Sequence, residues 1–304
     1  MNNSLKKGII LSIGASVISG FSIFYNKTLL GGGIDPNTLN IVKNGGTAIL
    51  LCCLLFFISK NNVKKSYSLH DLFHLFIIGL IGGGIPFLLF FNGLQNTSAI
   101  NATLIQKSMF IWVAILAVPF LHEKLSSLQL AGYGVLAFSN LFIGGFTGFT
   151  GSSAEWMIVG ATLFWSAENI LVRIFSKRIN TWILSASRMT IGTVIILAVT
   201  LIQQKSITTI PSNMIIPLIG SILLLTGYVT CWYRALKFAP ATLVTSILIA
   251  ATPITNILSS IFITHTLTLS QTAQIGGTLL GITLITLWSV NEAKKIPSKL
   301  SVSI

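Results

Sequence analysis

Charged residues are scarce in this sequence. Only 8% of its 304 residues are Asp, Glu, Lys or Arg, 53% are hydrophobic, and the mean hydropathy is +0.85. A soluble domain carries about 25% charged residues. The chain therefore lacks the polar surface of a water-soluble protein, and we predict an integral membrane protein.

Residues that build catalytic or ATP-binding sites are also few. The sequence has six acidic residues, four histidines near the ends of apolar runs, and three cysteines, Cys52, Cys53 and Cys231, inside apolar runs. It has no Cys-x-x-Cys pair and no Gly-x-x-x-x-Gly-Lys-Ser/Thr loop. These absences argue against a membrane-embedded enzyme, a cofactor and an ATP-driven pump. A channel would need a ring of like residues, which nothing indicates. The enzyme and the channel stay the alternatives to a transporter.

Basic residues are in excess, with 19 Lys and Arg and a net charge of +13. They form short clusters between apolar runs, such as Lys64-Lys65 and Lys294-Lys295. This distribution does not indicate nucleic-acid binding. Twelve basic residues fall on one side of the predicted topology, whereas Lys205 is almost alone on the other. The positive-inside rule then predicts cytoplasmic N- and C-termini and an even number of spans in the cell membrane.

Long apolar runs dominate the chain. A bilayer core of about 30 Å needs about 20 apolar helical residues. The runs continue without the alternation of membrane β-strands. We therefore predict an all-α integral membrane fold with ten transmembrane helices, at 8–30, 37–58, 71–93, 98–121, 126–146, 155–177, 182–203, 214–236, 240–263 and 270–290.

The two halves of the sequence resemble each other. Residues 39–50, LNIVKNGGTAIL, parallel residues 184–195, LSASRMTIGTVI, and Gln129 parallels Gln274, at offsets of 142 to 145 residues throughout. Five spans in each half invert the second half relative to the first. We expect two inverted five-helix repeats, at 1–147 and 148–304, around a central cavity, an arrangement typical of secondary transporters.

Several motifs resemble the drug/metabolite transporter superfamily of the EamA type. They are Phe24-Tyr25-Asn26-Lys27 with Pro36, Glu123-x-Leu125-Ser126 with Gln129 and Gly132, and the stretch from Ala235-Leu236 to Pro253. Ser108-Met109 stands where family members often have proline, and His265 stands at the place of Glu123. The resemblance implies a ten-helix secondary transporter of a small metabolite, such as an amino acid or a related anionic or zwitterionic compound, working by alternating access.

Ionisable residues within spans are the first candidates for the substrate-binding site. A Lys, Arg or Asp at the centre of a span costs about 2.5–3.5 kcal/mol, so such residues usually face a cavity or a partner. Lys43, Lys107, Glu168 and Arg188 stand inside spans. Neutral candidates for the same cavity are Asn44, Asn101, Gln106, Trp112, Trp165, Asn169, Tyr228 and Trp232.

Two interpretations of these charges stay open. An excess of positive charge would attract an anionic group such as a carboxylate, or Lys107 and Glu168 would neutralise each other as a structural pair. Lys43 and Arg188 lie nearer the rims, where a gate or a structural role is favoured. Glu168 is the only acidic residue deep in a span, and it is the candidate for proton coupling.

Helix-loosening residues occur in two spans. Gly82-Gly83-Gly84 precede Pro86, and Pro253 lies in the ninth span. They predict either hinges or places where helices pack closely. The expected partners of the protein are a small-molecule substrate and membrane lipid, with no nucleic acid, and we expect a monomer or a homodimer.

Overall fold

The structure, a computed structural model, describes residues 3–59, 67–94, 96–97, 99–143, 148–204 and 207–295. Its regular elements there are all helical and form ten principal helices, some of them in several segments. The first five are α1 (Asn3–Gly31), α2 (Pro36–Ser59), α3 (Leu69–Ile78, Gly79–Gly84 and Ile85–Leu94), α4 (Ala99–Lys107 and Met109–Leu121) and α5 (Ser127–Ala137 and Phe138–Phe142). The second five are α6 (Ser153–Phe175), α7 (Thr181–Ile202), α8 (Ile215–Phe238), α9 (Ala241–Leu248, Ala251–Ser259 and Ser260–Thr264) and α10 (Leu269–Lys295).

The outer surface of the bundle is apolar. Nine of the described helices, all except α5, are long and apolar enough to cross a membrane. Large apolar side chains point outward from them, including Phe57 at 69% and Ile216 at 81% exposure. Such side chains face lipid at no cost, whereas water would penalise a surface of this kind. The prediction of an all-α integral membrane fold is confirmed.

Helix packing relates the two halves by a pseudo-two-fold axis. α1 packs on α8, and the equivalent pair, α6 on α3, packs in the same way. α2 packs on α7, α4 on α9, and α5 on α10, each helix meeting its own counterpart. This pairing confirms the two inverted five-helix repeats. The division of the chain between residues 147 and 148 stays a prediction.

The ends of α4 and α9 repeat the same local geometry. His122 and His265 end these helices in the left-handed conformation, with φ of 55° and 53°. Ser126 and Gln129 then form a capping box at the start of α5. Thr268 and Gln271 exchange the same two hydrogen bonds at the start of α10. The capping geometry therefore pairs Gln129 with Gln271, three residues before the Gln274 of the sequence repeat.

Both α4 and α9 are interrupted near their middle. α4 breaks at Ser108, and α9 breaks at Ile249 and Ala250. Pro253 explains the second break, because it has no N–H to donate to the carbonyl of residue 249, which accepts instead from the Thr252 amide at 2.9 Å. The first break occurs without proline; the Ser108 hydroxyl there donates to the Ile105 carbonyl at 2.6 Å. Equivalent helices of the two repeats are therefore interrupted at equivalent positions, with or without a proline.

Glycines in the middle of α3 permit close packing on its neighbours. A Cβ on Gly83 would lie 2.1 Å from the Arg188 carbonyl oxygen of α7. A Cβ on Gly82 would lie 2.2 Å from the Glu168 carboxylate of α6. Residues Gly79–Gly84 form a π-helical turn there, so α3 is also irregular, as the sequence predicted. The glycines bring α3 against the two helices that carry Glu168 and Arg188.

Candidate functional site

A polar cavity of about 280 Å³ lies between the two halves of the bundle. α1, α2 and α4 of the first half line it, together with α8 and α9 of the second. Its polar lining consists of Ser19, Ser22, Asn26, Lys43, Gln106, Lys107, Tyr228 and Thr245. A central cavity between repeats is where transporters of inverted-repeat design bind their substrate. We take this cavity as the candidate functional site.

The polar stripe on α1 was not among the predicted site residues. Ser19, Ser22 and Asn26 are spaced by three and four residues, which places them on one helical face. All three line the cavity, and the Asn26 amide oxygen accepts a 2.8 Å hydrogen bond from Ser221 of α8. The three-four spacing of polar groups in an apolar helix was the signal that could have identified them.

Two lysines from different helices face the cavity. Lys43 lies on α2, and its side chain makes no hydrogen bond or ion pair with the residues that the structure describes. Lys107 ends the first segment of α4 and donates to the Thr252 hydroxyl just beyond the break in α9. Among the described residues, no Asp or Glu lines the cavity. The site therefore has two cationic groups and no acidic partner.

A second cavity of about 150 Å³ adjoins the first. Asn26, Lys43 and Leu225 line both cavities. Asn44 lines the second cavity, and its amide donates to the Asn40 carbonyl at 2.9 Å. Lys43 thus stands where the two spaces meet.

Glu168 and Arg188 form a buried ion pair that does not line either cavity. Arg188 Nε lies 2.6 Å from Glu168 Oε1, and the two side chains are 5% and 0% exposed. The Tyr233 hydroxyl also donates to Glu168 Oε1. Glu168 Oε2 is buried without a hydrogen-bond partner among the described residues. Glu168 is therefore paired with Arg188 and not with Lys107.

An aromatic wall separates this ion pair from the cavities. The Arg188 guanidinium carbon lies 5.6 Å from the ring of Phe87 and 5.4 Å from that of Trp232. Phe87 lines the second cavity. Tyr228 lines the first and stacks on Trp232 with ring centroids 5.5 Å apart. A change at the ion pair can therefore reach the cavities through the cation–π contacts of Arg188.

Two of the predicted tryptophans and an asparagine stabilise the packing around the ion pair. Trp232 Nε1 donates to the Asn169 side-chain oxygen at 3.0 Å, and the Asn169 amide donates to the Trp165 carbonyl at 2.9 Å. Trp165 Nε1 donates in turn to the carbonyl of Gly82 at 3.1 Å. The three side chains are buried and tie α6 to α8 and α3.

Two other predicted residues lie outside both cavities. The Asn101 amide donates to the Gly148 carbonyl at 3.2 Å and to Glu155 Oε1 at 3.4 Å, and so connects the beginnings of α4 and α6. Trp112 Nε1 donates to the Ser108 hydroxyl at 3.1 Å, at the break in α4. The structure gives both residues local structural contacts instead of a place in the cavity wall.

The end of the bundle where α1 begins, here called the terminal face, is held by polar contacts between helix ends. Glu123 accepts hydrogen bonds from the amides of Ala241 at 2.8 Å and Thr242 at 3.2 Å, and it thereby caps α9. Arg173 donates to the last carbonyls of α8, those of Leu236 at 2.8 Å and Lys237 at 2.7 Å. The Glu123 contacts join the two halves, because Glu123 belongs to the first half and α9 to the second, whereas the Arg173 contacts join α6 to α8 within the second half.

Comparisons with known proteins agree with this architecture. The EamA-like transporter family matches residues 6–145 and again residues 152–287. An uncharacterized transporter of Methanothermobacter thermautotrophicus is 23% identical over an alignment of 215 positions that covers 64% of this chain. The match spans 61% of the length of that relative. A protein of known crystal structure superposes with a TM-score of 0.78 and 12% identity over 94% of this chain and 99% of the other. At this identity the superposition shows the fold alone.

Proposed function

Because the chain belongs to the EamA-like transporter family of the drug/metabolite transporter superfamily, we propose that it moves a small organic metabolite across the membrane. An amino acid or a related anionic or zwitterionic compound is the proposed class of substrate. The observation that carries the proposal is the polar cavity of about 280 Å³, which both halves line. Its volume is just below the usual range of about 300–1,000 Å³ for small-molecule sites.

Alternating access is the proposed mechanism. Leu236, Ala239 and Leu243, towards the terminal face, are 0% exposed. Glu123 of the first half accepts hydrogen bonds from the start of α9, in the second half, at this face. Rocking one half against the other would break these contacts and open the terminal face, as expected for a bundle of two inverted repeats.

Four of the predicted residues are proposed to contact the substrate directly. They are Lys43, Gln106, Lys107 and Tyr228, which line the main cavity. Asn44 is proposed to act from the second cavity. Arg188, Trp165, Asn169 and Trp232 are proposed to position the cavity wall from behind, since they are buried and hydrogen-bonded or paired.

Proton coupling at Glu168 is the second part of the proposal. The carboxylate has one oxygen in contact with Arg188 and Tyr233 and one buried oxygen without a partner. A proton on the free oxygen would weaken the attraction to Arg188, which contacts Phe87 of the first half and Trp232 of the second. We expect Glu168→Gln to remove the pH dependence of uptake into proteoliposomes. Full uptake with an unchanged pH profile would exclude this role.

Topology and assembly follow from the sequence and stay proposals. We propose that the protein lies in the cell membrane with both termini in the cytoplasm, because the basic connections fall on the terminal face. A monomer or a homodimer is proposed. Membership of a transporter family argues against an enzyme, and a channel stays the alternative for the mode of transport.

Uptake by the reconstituted protein tests the proposed function. A metabolite extract is screened for compounds that raise the melting temperature of the purified protein, since a ligand of the native state stabilises it. Each hit is then loaded into proteoliposomes and counterflow of the labelled compound is measured. Saturable counterflow supports a transporter, whereas flux that rises linearly with concentration supports a channel. The absence of any flux would contradict the proposal.

A further inference from the structure

We propose that the cavity binds a small organic anion without an ammonium group, with its negative charge held between Lys43 and Lys107. This inference rests on the proposed function, because it assigns a class of substrate to the same cavity. It separates organic acids from zwitterionic amino acids, which the family membership and the cavity volume leave equivalent.

The first argument is the balance of charge. Among the described residues, the charged side chains that stand well inside spans are Lys43, Lys107, Glu168 and Arg188. Glu168 and Arg188 neutralise each other in a contact of 2.6 Å. Lys43 and Lys107 share one cavity, and neither has an acidic partner among the described residues. Cations within a membrane protein ordinarily face a partner of opposite charge. The missing counter-charge is supplied by the ligand.

The second argument concerns the neutral groups of the wall. Ser19, Ser22, Asn26, Gln106 and Thr245 offer hydroxyls and amides, which suit the carboxylate, hydroxyl or keto oxygens of an organic acid. The ammonium of an amino acid would find no carboxylate in this part of the described structure. It would also lie beside two lysines, and like charges repel strongly where water is excluded. The wall therefore discriminates against an ammonium group.

The third argument is the contact made by Lys107. Its ammonium donates to the neutral Thr252 hydroxyl, which lies on the opposite half of the bundle. A carboxylate is a stronger acceptor than a hydroxyl. An anion in the cavity would therefore draw Lys107 away from Thr252. The apolar residues Phe110, Leu225, Leu248 and Ile249 complete the wall and fit the carbon skeleton of the ligand.

A series of four-carbon probes tests the inference. Succinate, butyrate, 4-aminobutyrate and 1,4-diaminobutane have similar length, but their charges are −2, −1, zero overall and +2. Melting temperatures of the purified protein are measured with each probe at constant ionic strength. We expect succinate to stabilise most, butyrate less, and the two probes with ammonium groups not at all. Equal or greater stabilisation by 4-aminobutyrate or 1,4-diaminobutane, or no stabilisation by either anion, would overturn the inference.

Variants locate the binding to the two lysines. Lys43→Gln and Lys107→Gln should each weaken the apparent affinity for succinate by about 30-fold or more, because a desolvated charge contact is lost. Lys124→Gln, in which an exposed lysine at the end of α4 is changed, is the matched control and should keep the affinity. Thr252→Val should not weaken the affinity, since both charges remain and the hydroxyl that competes with the anion for Lys107 is removed. An unchanged affinity in both lysine variants would overturn the inference.

Folding of the variants is checked without a ligand. Lys43→Gln should raise the melting temperature of the ligand-free protein, because it removes an unpaired charge from the bundle. A fall would contradict the argument from charge balance. The outcomes also separate the inference from the proposed function. Lysine-dependent anion binding without flux would support the anion site and contradict transport. Flux restricted to neutral or cationic solutes would support transport and contradict the anion site.

Discussion

The buried Glu168–Arg188 pair gives the sharpest prediction for stability. Its side chains are 0% and 5% exposed and 2.6 Å apart. Loss of one partner leaves the other charge buried and unpaired, which costs about 3–5 kcal/mol. Glu168→Gln keeps the shape of the side chain and an oxygen for the Tyr233 hydroxyl. The cation–π contacts of Arg188 remain and offset only about 0.5–2 kcal/mol. We therefore expect Glu168→Gln to lower the free energy of unfolding by about 3 kcal/mol, near the lower end of this range.

A double-mutant cycle measures this contribution. Unfolding of Glu168→Gln, Arg188→Gln and the double variant is followed in mixed micelles at increasing fractions of denaturing detergent. The double variant should be more stable than the sum of the single losses predicts, with a coupling energy above about 1 kcal/mol. Arg178→Gln is the control: its pair with Asp71 has a similar distance of 2.8 Å, and Asp71 is 2% exposed, but Arg178 is 61% exposed. Asp71 also keeps its hydrogen bonds from the Ser68 amide and hydroxyl, so a smaller loss is expected. Additive losses, or an Arg178 effect as large as that of Glu168, would refute the reasoning.

The remaining predictions concern packing and the terminal face. Gly83→Ala should destabilise the protein by several kcal/mol, because the new Cβ would lie 2.1 Å from the Arg188 carbonyl oxygen. Gly134→Ala is the control and should stabilise the protein by about 0.5–1 kcal/mol, because nothing lies within 4 Å of the new Cβ. Equal effects of the two variants on unfolding in detergent would contradict this prediction. Glu123→Ala should cost about 0.5–2 kcal/mol, because α9 loses its cap. The same variant should make a cysteine placed at Ala239, which is 0% exposed, react faster with a water-soluble thiol reagent; an unchanged rate would exclude Glu123 as a closure of the terminal face.

The sequence was sufficient to predict most of the fold. Spans of about 20 apolar residues, the charge bias and the repeated motifs each depend on local composition, so ten helices in two inverted halves could be derived and are confirmed. The break in α4 at Ser108 could not be predicted from the sequence, because no proline marks it and the fold imposes the geometry.

The candidate site was harder to predict. Lys43, Lys107, Gln106 and Tyr228 were identified because polar groups in a membrane are costly, and they do line the cavity. The same criterion selected Asn101, which instead caps a connection between helices. The free-energy cost of a polar group in the membrane does not indicate which face of a helix the residue occupies. The pairing of Glu168 with Arg188 could not be predicted either, because it depends on the distance between α6 and α7, and the residue spacing within one helix gives no information on that distance.

The measurement that tests the central claim most directly asks whether solute passes through the cavity. Cys52, Cys53 and Cys231 are replaced by alanine, Ser22 on the cavity wall becomes the single cysteine, and counterflow is recorded before and after reaction with a bulky thiol reagent. A single cysteine at Gly134, which has open space around it, is the control. We predict that modification at position 22 abolishes flux and that modification at position 134 leaves it unchanged. Undiminished flux after complete modification at position 22 would contradict the account.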